Sequence, residues 1–400
     1  EQDSGLHLYH ELAHLPPAER IAQALGQQQQ RYIETPEHER VLNVGDAIRE
    51  LTRLCGATAV TAVSFFDMEL IEVLPSLDPL LPLSPVLPVV ANIIEASKDW
   101  IAGRGRASQA KYLAALARIS EPDRGGLEYE HYERTRLNLH HALALIEASH
   151  GMSSVEERAK ILEQSRPMRV RAWRVRMLLR LNQGDLAGAR RCLRRSELLQ
   201  LQDGAESHYV GTSAGFELIT CSRAGDLLGV KTAVDALQLL ADKHAGWRPM
   251  LLLGQSRYRE LQGDLPAALE IAKTGLELTP PGRHLVYPLL AASLVRILRE
   301  LGQPAESARL GEEHAATAER ERLTARDLHL ELAQTLAESG TTERAVELIA
   351  PWLDWVQENG ATGLASGFVF EARARVALAM QDRAAFEKYC EMCAEEITHD

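Results

Sequence analysis

The sequence predicts an all-α protein, an array of stacked helical hairpins. A glycine-centred pattern recurs through the C-terminal half of the chain at a nearly constant period. Apolar residues on both sides of each glycine follow helical spacing. Runs of β-branched residues are short and alternation with a period of two is rare, so strand signals are nearly absent.

The recurring pattern is a glycine, then a polar residue, then an amphipathic run that contains alanine. Successive copies are separated by 41, 38, 39 and 38 residues. The five glycines are Gly184, Gly225, Gly263, Gly302 and Gly340. A degenerate sixth copy starts at Met380 or Gln381, where another residue replaces the glycine. Six marks at one period indicate structural repeats.

Each copy predicts the turn between two helices. The glycine suits the left-handed residue that ends the first helix, and the Asp or Thr behind it can cap the second. Pro266 and Pro304 fall in the first turn of that second helix, where proline is tolerated. Small residues follow at Ala189, Ala268, Ser307 and Ala345, and they allow the two helices to approach closely. One hairpin cannot bury its apolar face alone, whereas stacked hairpins can.

The unit around Gly263, with the sequence GDLPAALEIAKTGLELTPPG, resembles the tetratricopeptide repeat. The resemblance implies a right-handed α-α superhelix, a tetratricopeptide-like solenoid of helical hairpins. Two features depart from that family. The first helices mostly lack its pair of a large aromatic residue and a glycine, and the period is 38–41 residues instead of about 34.

Longer units of this kind resemble two groups of bacterial proteins. One is the superhelical repeat region of maltose-activator-type signal-transduction ATPases. The other is the C-terminal repeat region of large multi-domain serine/threonine kinases, to which the stretches LNQGDLAGARRC, KHAGWRPML and LTPPGRHLVYPLLAA are similar. These resemblances imply the repeat region of a larger bacterial signalling protein.

We expect two regions along the chain. Residues 166–400 form about six repeats of 38–41 residues, and residues 1–165 form divergent hairpins that make the N-terminal part of the same array. Helical spacing in the first region covers 18–32, 45–54, 89–101, 107–119 and 129–148. Gly151 with Ser153 adds another turn and capping signal, and the proline-rich stretch 75–88 predicts an irregular connector.

Composition limits the classes of partner. The chain of 400 residues carries a net charge of −12, which disfavours non-specific binding to nucleic acid or anionic lipid. No stretch approaches the ~18 uninterrupted apolar residues of a membrane span. Five scattered cysteines suit a reducing compartment, so we expect a cytoplasmic protein. Because Glu1 replaces an initiator Met and no signal peptide follows, we expect a piece of a larger protein.

The charge is unevenly distributed. Between Arg166 and Arg195 there are ten arginines and one acid, which leaves −21 for the rest of the chain. One interpretation is a solvated, ion-paired face. The other is a docking surface for an acidic or phosphorylated protein segment, or for another domain of the same polypeptide. Nucleic acid is the weakest alternative, because the remainder of the chain is acidic.

The candidate docking residues are Arg169, Arg171, Trp173, Arg174, Arg176, Arg180, Arg190, Arg191, Arg194 and Arg195. Reversing Arg171, Arg174 and Arg176 to Glu is then expected to abolish capture of the partner and to leave the helical circular-dichroism signal intact.

Two motifs suggest chemistry. His10, Glu11 and His14 fit the H-E-x-x-H pattern of zinc hydrolases, but Pro16 follows and no third ligand is indicated, which favours a terminal amphipathic helix. Cys390 and Cys393 form a lone C-x-x-C, which we interpret as two cysteines on an apolar helix face. We expect no metal and no cofactor.

The sequence has no phosphate loop, kinase signature, dinucleotide fingerprint or nucleophile elbow. We therefore expect a non-catalytic protein-interaction scaffold, with any kinase or ATPase activity outside this chain. The alternative is a regulatory module that senses a small molecule in the superhelix groove. A zinc hydrolase built on His10, Glu11 and His14 is a remote third possibility.

Overall fold

The computed structural model describes residues 44–74, 76–120, 122–127, 129–203 and 210–397, and these are α-helical with no β-strand. The all-α prediction is therefore confirmed for this part of the chain. Among the described helices, none combines the length and apolar character that crossing a bilayer requires. The predicted helix over 18–32 and the motif at His10, Glu11 and His14 lie outside the described residues.

The chain divides into two compact units. The first contains residues up to Ile101 together with Ala107–Glu133, and the second contains Ala102–Arg106 and everything from Arg134 onward. The division falls after Glu133, within the region 1–165, and the predicted bounds of the two repeat regions stay a prediction. Residues 134–165 belong with the C-terminal hairpins.

The first unit has a small core of its own. Its helices are α1 (Val44–Phe65), α2 (Met68–Glu72), α3 (Leu87–Ala102) and α4 (Gly105–Ile119), and a 3₁₀ turn covers Asp78–Leu83 in the proline-rich connector. Cys55, Leu70, Ile71, Leu87 and Ile94 are buried together. Helix α1 continues eleven residues beyond its predicted end at 54. Its apolar stripe continues through the buried Ala59 and Ala62, so packing extends it.

The second unit is a series of antiparallel helical pairs. Its helices are α5 (Tyr129–Ala148), α6 (Ser154–Glu163), α7 (Arg169–Asn182), α8 (Leu186–Asp203), α9 (Val210–Ala224), α10 (Leu227–Ala241), α11 (Arg248–Leu261), α12 (Leu265–Glu277), α13 (Tyr287–Glu300), α14 (Pro304–Arg320), α15 (Arg326–Glu338), α16 (Thr342–Asn359), α17 (Leu364–Ala379) and α18 (Arg383–Ile397). We call the odd-numbered members of these pairs first helices and the even-numbered members second helices. From α7 to α18 each first helix packs against the second helix that follows it.

The turn inside each hairpin has one repeated geometry. The glycine that ends the first helix has a positive φ at all five predicted positions, for example 77° at Gly184 and 81° at Gly263. Its amide donates to the carbonyl three residues earlier, and the next amide donates to the carbonyl five residues earlier, which is the Schellman motif. Gly151, between α5 and α6, forms the same pair of hydrogen bonds. So does Gln381, with a φ of 59°.

The capping residues agree only in part with the prediction. The carboxylates of Asp185, Asp226 and Asp264 each accept a hydrogen bond from the backbone amide three residues on, and Asp382 does the same in the degenerate copy. The side chain of Thr341 makes no such bond, so the predicted Thr cap is wrong. The small residues Ala189, Ala268, Ser307 and Ala345 are buried at the hairpin contact, as close helix approach requires.

Apolar packing runs across the hairpins of the second unit. One cluster extends from Val295 in α13 through Leu332 in α15 and Trp352 in α16 to Val369 in α17. Met152, from the turn between α5 and α6, belongs to the same cluster. Hairpins distant in sequence therefore share one core.

The left-handed turns allow a direct test of backbone strain. A Cβ added at Gly263 meets no atom within 4 Å, so only its φ of 81° opposes alanine. We expect Gly263→Ala to lower the free energy of unfolding by about 1–2 kcal/mol, and Gln381→Gly to raise it by about 0.5–1 kcal/mol. Urea denaturation followed by circular dichroism measures both.

Gly56→Ala is the matched control, because Gly56 lies inside α1 with open space around it and no positive φ. There alanine should stabilise the helix by up to about 1 kcal/mol. Equal effects of alanine at Gly56 and Gly263 would contradict the assignment of strain to the turn.

Candidate functional site

The ten predicted docking residues lie on one hairpin but in two different environments. Arg169, Arg171, Trp173, Arg174 and Arg176 are half-buried on α7, and Arg180 is exposed near the end of that helix. Arg190, Arg191, Arg194 and Arg195 are all exposed on α8. The prediction placed all ten residues in one docking surface. In the structure, burial separates the residues of α7 from the exposed arginines of α8.

Two arginines of α7 bind the neighbouring first helices. Arg171 donates from Nη1 to Oδ1 of Asn138 on α5 at 3.4 Å. Arg174 forms an ion pair with Glu217 on α9, at 3.3 Å between Nη1 and Oε1. Both side chains therefore contribute to contacts between hairpins.

The side chain of Arg176 contacts two glutamates and one aromatic ring. It binds Glu156 at 3.0 Å and Glu163 at 2.8 Å, both on α6, and its guanidinium lies 4.8 Å from the centre of the Trp173 ring. Reversing Arg171, Arg174 and Arg176 to Glu would break these internal contacts and destabilise the fold. The reversal expected from sequence to leave the fold intact is therefore unsuitable as a binding test.

The four arginines of α8 are free. Within the described residues none of them has an ion pair or hydrogen bond through its side chain. They share one half of the helix with Leu198 and Leu201, which are 53% and 82% exposed. The opposite half packs against α7 through its buried residues Ala189, Cys192, Ser196 and Leu199. We call the exposed half, from Arg190 to Leu201, the α8 face.

The arginine spacing on α8 does not stabilise that helix. Arg190 with Arg194, and Arg191 with Arg195, are like charges four residues apart. Each such pair costs an isolated helix roughly 0.2–0.5 kcal/mol. The acidic residue nearest them on the exposed half, Glu197, forms no ion pair with either. The local energetics of α8 give no reason for this arrangement.

An open cleft of about 520 Å³ lies between α6, α7 and α8. Trp173, Arg176, Arg180 and Gln183 line it, and Cys192 reaches it from α8. Burial raises the pKa of the Cys192 thiol, and the opposing effect of Arg180, Arg176 and Arg191 is smaller. The cleft therefore offers cations and an aromatic ring, but no thiolate nucleophile.

Sequence reasoning missed a second set of charged residues, which joins successive first helices. Glu260 on α11 receives a bidentate pair from Arg296 on α13, at 2.6 and 2.9 Å. Arg296 also binds Glu331 on α15 at 3.1 Å, and Arg299 binds Glu331 at 2.8 Å. We call this set, with Arg257, the polar ladder.

The ladder continues towards the N-terminal hairpins. Arg257 donates to Glu260 and, at 2.9 Å, to the carbonyl of Ser222 at the end of α9. The pair of Arg174 with Glu217 connects α7 with α9 in the same way. Partners in neighbouring helices are 32 to 43 residues apart, which is close to the repeat period. The recurrence of Arg and Glu at about the repeat period was the feature of the sequence from which these ion pairs could have been predicted.

Glu260 is ionised inside the protein. Its side chain is 4% exposed, and burial alone would raise the pKa of the carboxyl group. The guanidinium groups of Arg296 and Arg257 outweigh burial, so the pKa is lowered. A buried carboxylate that has lost one of these partners would be strongly unfavourable.

A second buried cluster of charged residues connects the turn after α5 with the end of α9 and the start of α15. Arg223 at the end of α9 binds Asp327 on α15 at 2.8 Å, and Arg326 binds the same carboxylate at 2.9 Å. Arg326 also donates to Nδ1 of His150, whose ring lies edge-on to Trp355 at 4.8 Å. We call these residues the junction cluster.

Backbone contacts reinforce the junction. The side-chain amide of Asn182 donates from Nδ2 to the backbone carbonyl of Thr362 at 2.9 Å, and the side-chain hydroxyl of Thr362 donates to the backbone carbonyl of Gly151 at 2.7 Å. A Cβ at Gly363 would lie 2.2 Å from the carbonyl oxygen of Asn182, which only glycine permits. These contacts connect residues 180 and 211 positions apart, so no local pattern predicts them.

The other predicted chemistry has little support in the described residues. Cys390 is exposed and Cys393 is half-buried, with its Sγ 3.6 Å from the carbonyl of Gly367, so the prediction that both lie on an apolar face holds only for Cys393. In the described part of the chain no three His, Cys, Asp or Glu residues are grouped as a metal site would need.

Comparison with known proteins gave no match: no family model and no curated protein sequence matches this chain.

The polar ladder predicts that one conservative substitution, Glu260→Gln, strongly lowers the free energy of unfolding. Glu260→Gln keeps the shape of the side chain but leaves Arg257 and Arg296 with one fewer counter-charge. We expect the free energy of unfolding to fall by about 3–5 kcal/mol. Urea denaturation measures it.

Glu270→Gln is the matched control, because Glu270 pairs with Lys273 on the exposed side of α12 and should contribute under about 1 kcal/mol. Equal losses in the two variants would argue against a structural role for the ladder.

The junction cluster predicts a dependence on pH. Burial, and then the charges of Arg326 and Arg223, lower the pKa of His150 well below 6.5. Between the two pKa values the unfolded chain binds a proton that the folded chain does not, so stability falls as the pH drops below about 6.5. The pKa of Asp327 is also lowered. The stability that its carboxylate contributes is therefore lost only below about pH 3.9.

His150→Gln should therefore flatten the fall in thermal midpoint between pH 7 and pH 5, measured by circular dichroism. His131→Gln, at an exposed position, is the control. An unchanged slope in His150→Gln would show that His150 does not link stability to pH.

Proposed function

We propose that this chain is a non-catalytic protein-interaction scaffold with a tetratricopeptide-like, right-handed α-α superhelix. The supporting structural observation is the series of helical pairs from α7 to α18, in which each turn repeats one Schellman motif. The resemblance of the unit around Gly263 to the tetratricopeptide repeat supports the same architecture. Arrays of this kind present extended surfaces to protein partners.

A structural role for the buried charges supports the non-catalytic part of the proposal. Glu260, Arg296 and Glu331 bind one another, and Arg223 and Arg326 share Asp327. Catalysis would need such groups aimed at a substrate, whereas here they hold helices together. Any kinase or ATPase activity would then belong to other parts of a larger bacterial signalling protein, which we propose as the cytoplasmic context of this region.

The α8 face carries the functional proposal. Four arginines without a side-chain partner among the described residues lie beside two exposed leucines on this face. Arg171, Arg174 and Arg176 of α7 are committed to Asn138, Glu217, Glu156 and Glu163. The binding residues that we propose are therefore Arg190, Arg191, Arg194 and Arg195.

A second candidate function is sensing of a small molecule. The observation that favours it is the cleft lined by Trp173 and Arg180, where an anionic aromatic ligand could stack and pair. Arg176 lines the same cleft but is already bound by Glu156 and Glu163. Calorimetry against a metabolite panel tests this alternative.

Affinity capture tests the scaffold. The tagged chain and the variant Arg190→Glu/Arg194→Glu are used to capture proteins from lysate of the source organism, with quantification by mass spectrometry. We expect the wild-type chain to enrich a protein whose recovery falls at least about tenfold with the variant, since each reversal turns attraction into repulsion.

Arg248→Glu/Arg259→Glu is the matched control. It makes the same change in net charge at two exposed arginines of α11, away from the α8 face. Recovery that falls equally with both variants would mean that only the overall charge matters. No enrichment over a tag-only control would contradict the scaffold proposal.

A further inference from the structure

We propose that the segment bound by the α8 face is an acidic amphipathic helix of a partner protein, with carboxylates opposite the arginines and apolar residues opposite Leu198 and Leu201. This inference rests on the proposed function and specifies its partner. It depends on how charge and apolar area are arranged along one helix.

The α8 face has two parts in a fixed order. Arg190, Arg191, Arg194 and Arg195 occupy its N-terminal part, and Leu198 and Leu201 continue the same exposed half towards the C-terminus. From Arg190 to Leu201 the helix rises by about 16 Å. A ligand that covers the whole face therefore needs an acidic part and an apolar part within roughly three turns of helix.

The charges on the face are complementary to carboxylates. Each guanidinium can bind a carboxylate through two parallel hydrogen bonds, and none of the four has such a partner within the described residues. The pairs Arg190 with Arg194 and Arg191 with Arg195 repel each other, so opposite charges at the same spacing would relieve that repulsion. Acidic residues at positions i, i+1, i+4 and i+5 of a partner helix have this spacing.

The leucines argue for a helix and against nucleic acid. Leu198 and Leu201 are three residues apart on one face, and an amphipathic helix places its own apolar residues at that interval. A phosphate backbone would satisfy the arginines but would leave both leucines in water. The rest of the chain carries −21, which further repels a polyanion.

A designed peptide tests the proposal on the full chain. The probe is a fluorescein-labelled helix of about fifteen residues. Its glutamates are spaced like Arg190, Arg191, Arg194 and Arg195, and its two leucines are spaced like Leu198 and Leu201. Fluorescence anisotropy at low ionic strength measures the dissociation constant. We expect saturable binding that weakens as salt is added.

Five comparisons make the result specific. Arg190→Glu/Arg194→Glu should weaken binding at least about tenfold, and Leu198→Gln/Leu201→Gln several-fold. Arg248→Glu/Arg259→Glu should leave the affinity within about twofold. A peptide with glutamine for every glutamate, and one with a central proline, should bind at least about tenfold more weakly. Circular dichroism checks that each protein variant keeps its helical signal.

Several outcomes would overturn the proposal. Equal affinity for the glutamine peptide would remove charge recognition, and equal affinity for the proline peptide would remove the helix. Tighter binding of single-stranded DNA than of the acidic peptide would assign the face to nucleic acid. No saturable binding of the peptide would reject an acidic helix as the ligand.

Failure of the acidic-helix proposal can be distinguished from failure of the scaffold proposal by comparing peptide binding with lysate capture. If lysate capture still depends on Arg190 and Arg194, the scaffold stands and its partner has another chemistry. If neither experiment detects binding, both proposals fail.

Discussion

The bidentate pair between Glu260 and Arg296 is the interaction on which the order of the second unit depends. Apolar burial supplies the driving force for stacking hairpins, but it is not directional and allows neighbouring helices to slide or rotate. A buried carboxylate is stable only if its guanidinium partners are in place. Because Arg296 binds Glu260 on one side and Glu331 on the other, it sets the positions of α11 and α15 relative to α13. Charge pairing thereby selects one register among those that apolar packing would permit.

The same residue type has two roles in the arginine-rich hairpin, and burial decides between them. On α7, Arg174 and Arg176 lie between helices, where an unpaired charge would be costly, and acidic side chains of α9 and α6 neutralise them. On α8, the arginines point away from α7 into solvent, where an unpaired charge costs little. A fold can therefore keep cations on α8 for a ligand, but it cannot do so on α7.

The junction cluster lies at the first helices, whereas the proposed binding surface lies on a second helix. Arg223, Arg326, Asp327 and His150 bring the turn after α5 to the ends of α9 and α15, and Thr362 contacts both Gly151 and Asn182. These contacts lie in turns and at the ends of the first helices. Second helices such as α8 keep one half exposed, so they are available to a partner.

Local sequence determined the helices and their turns. A glycine followed by a polar residue encodes the left-handed turn within a few residues, which is why five turns were predicted at their positions and the sixth, at Gln381, was found from the period alone. Local reasoning was wrong where a contact outside the segment decides: α1 is extended by its packing, and Thr341 does not cap its helix. The division of the arginines, the polar ladder and the junction cluster depend mainly on partners 13 to 211 residues away. Those pairings exist only once the hairpins have stacked, because stacking alone determines which charges are buried together and which remain in solvent.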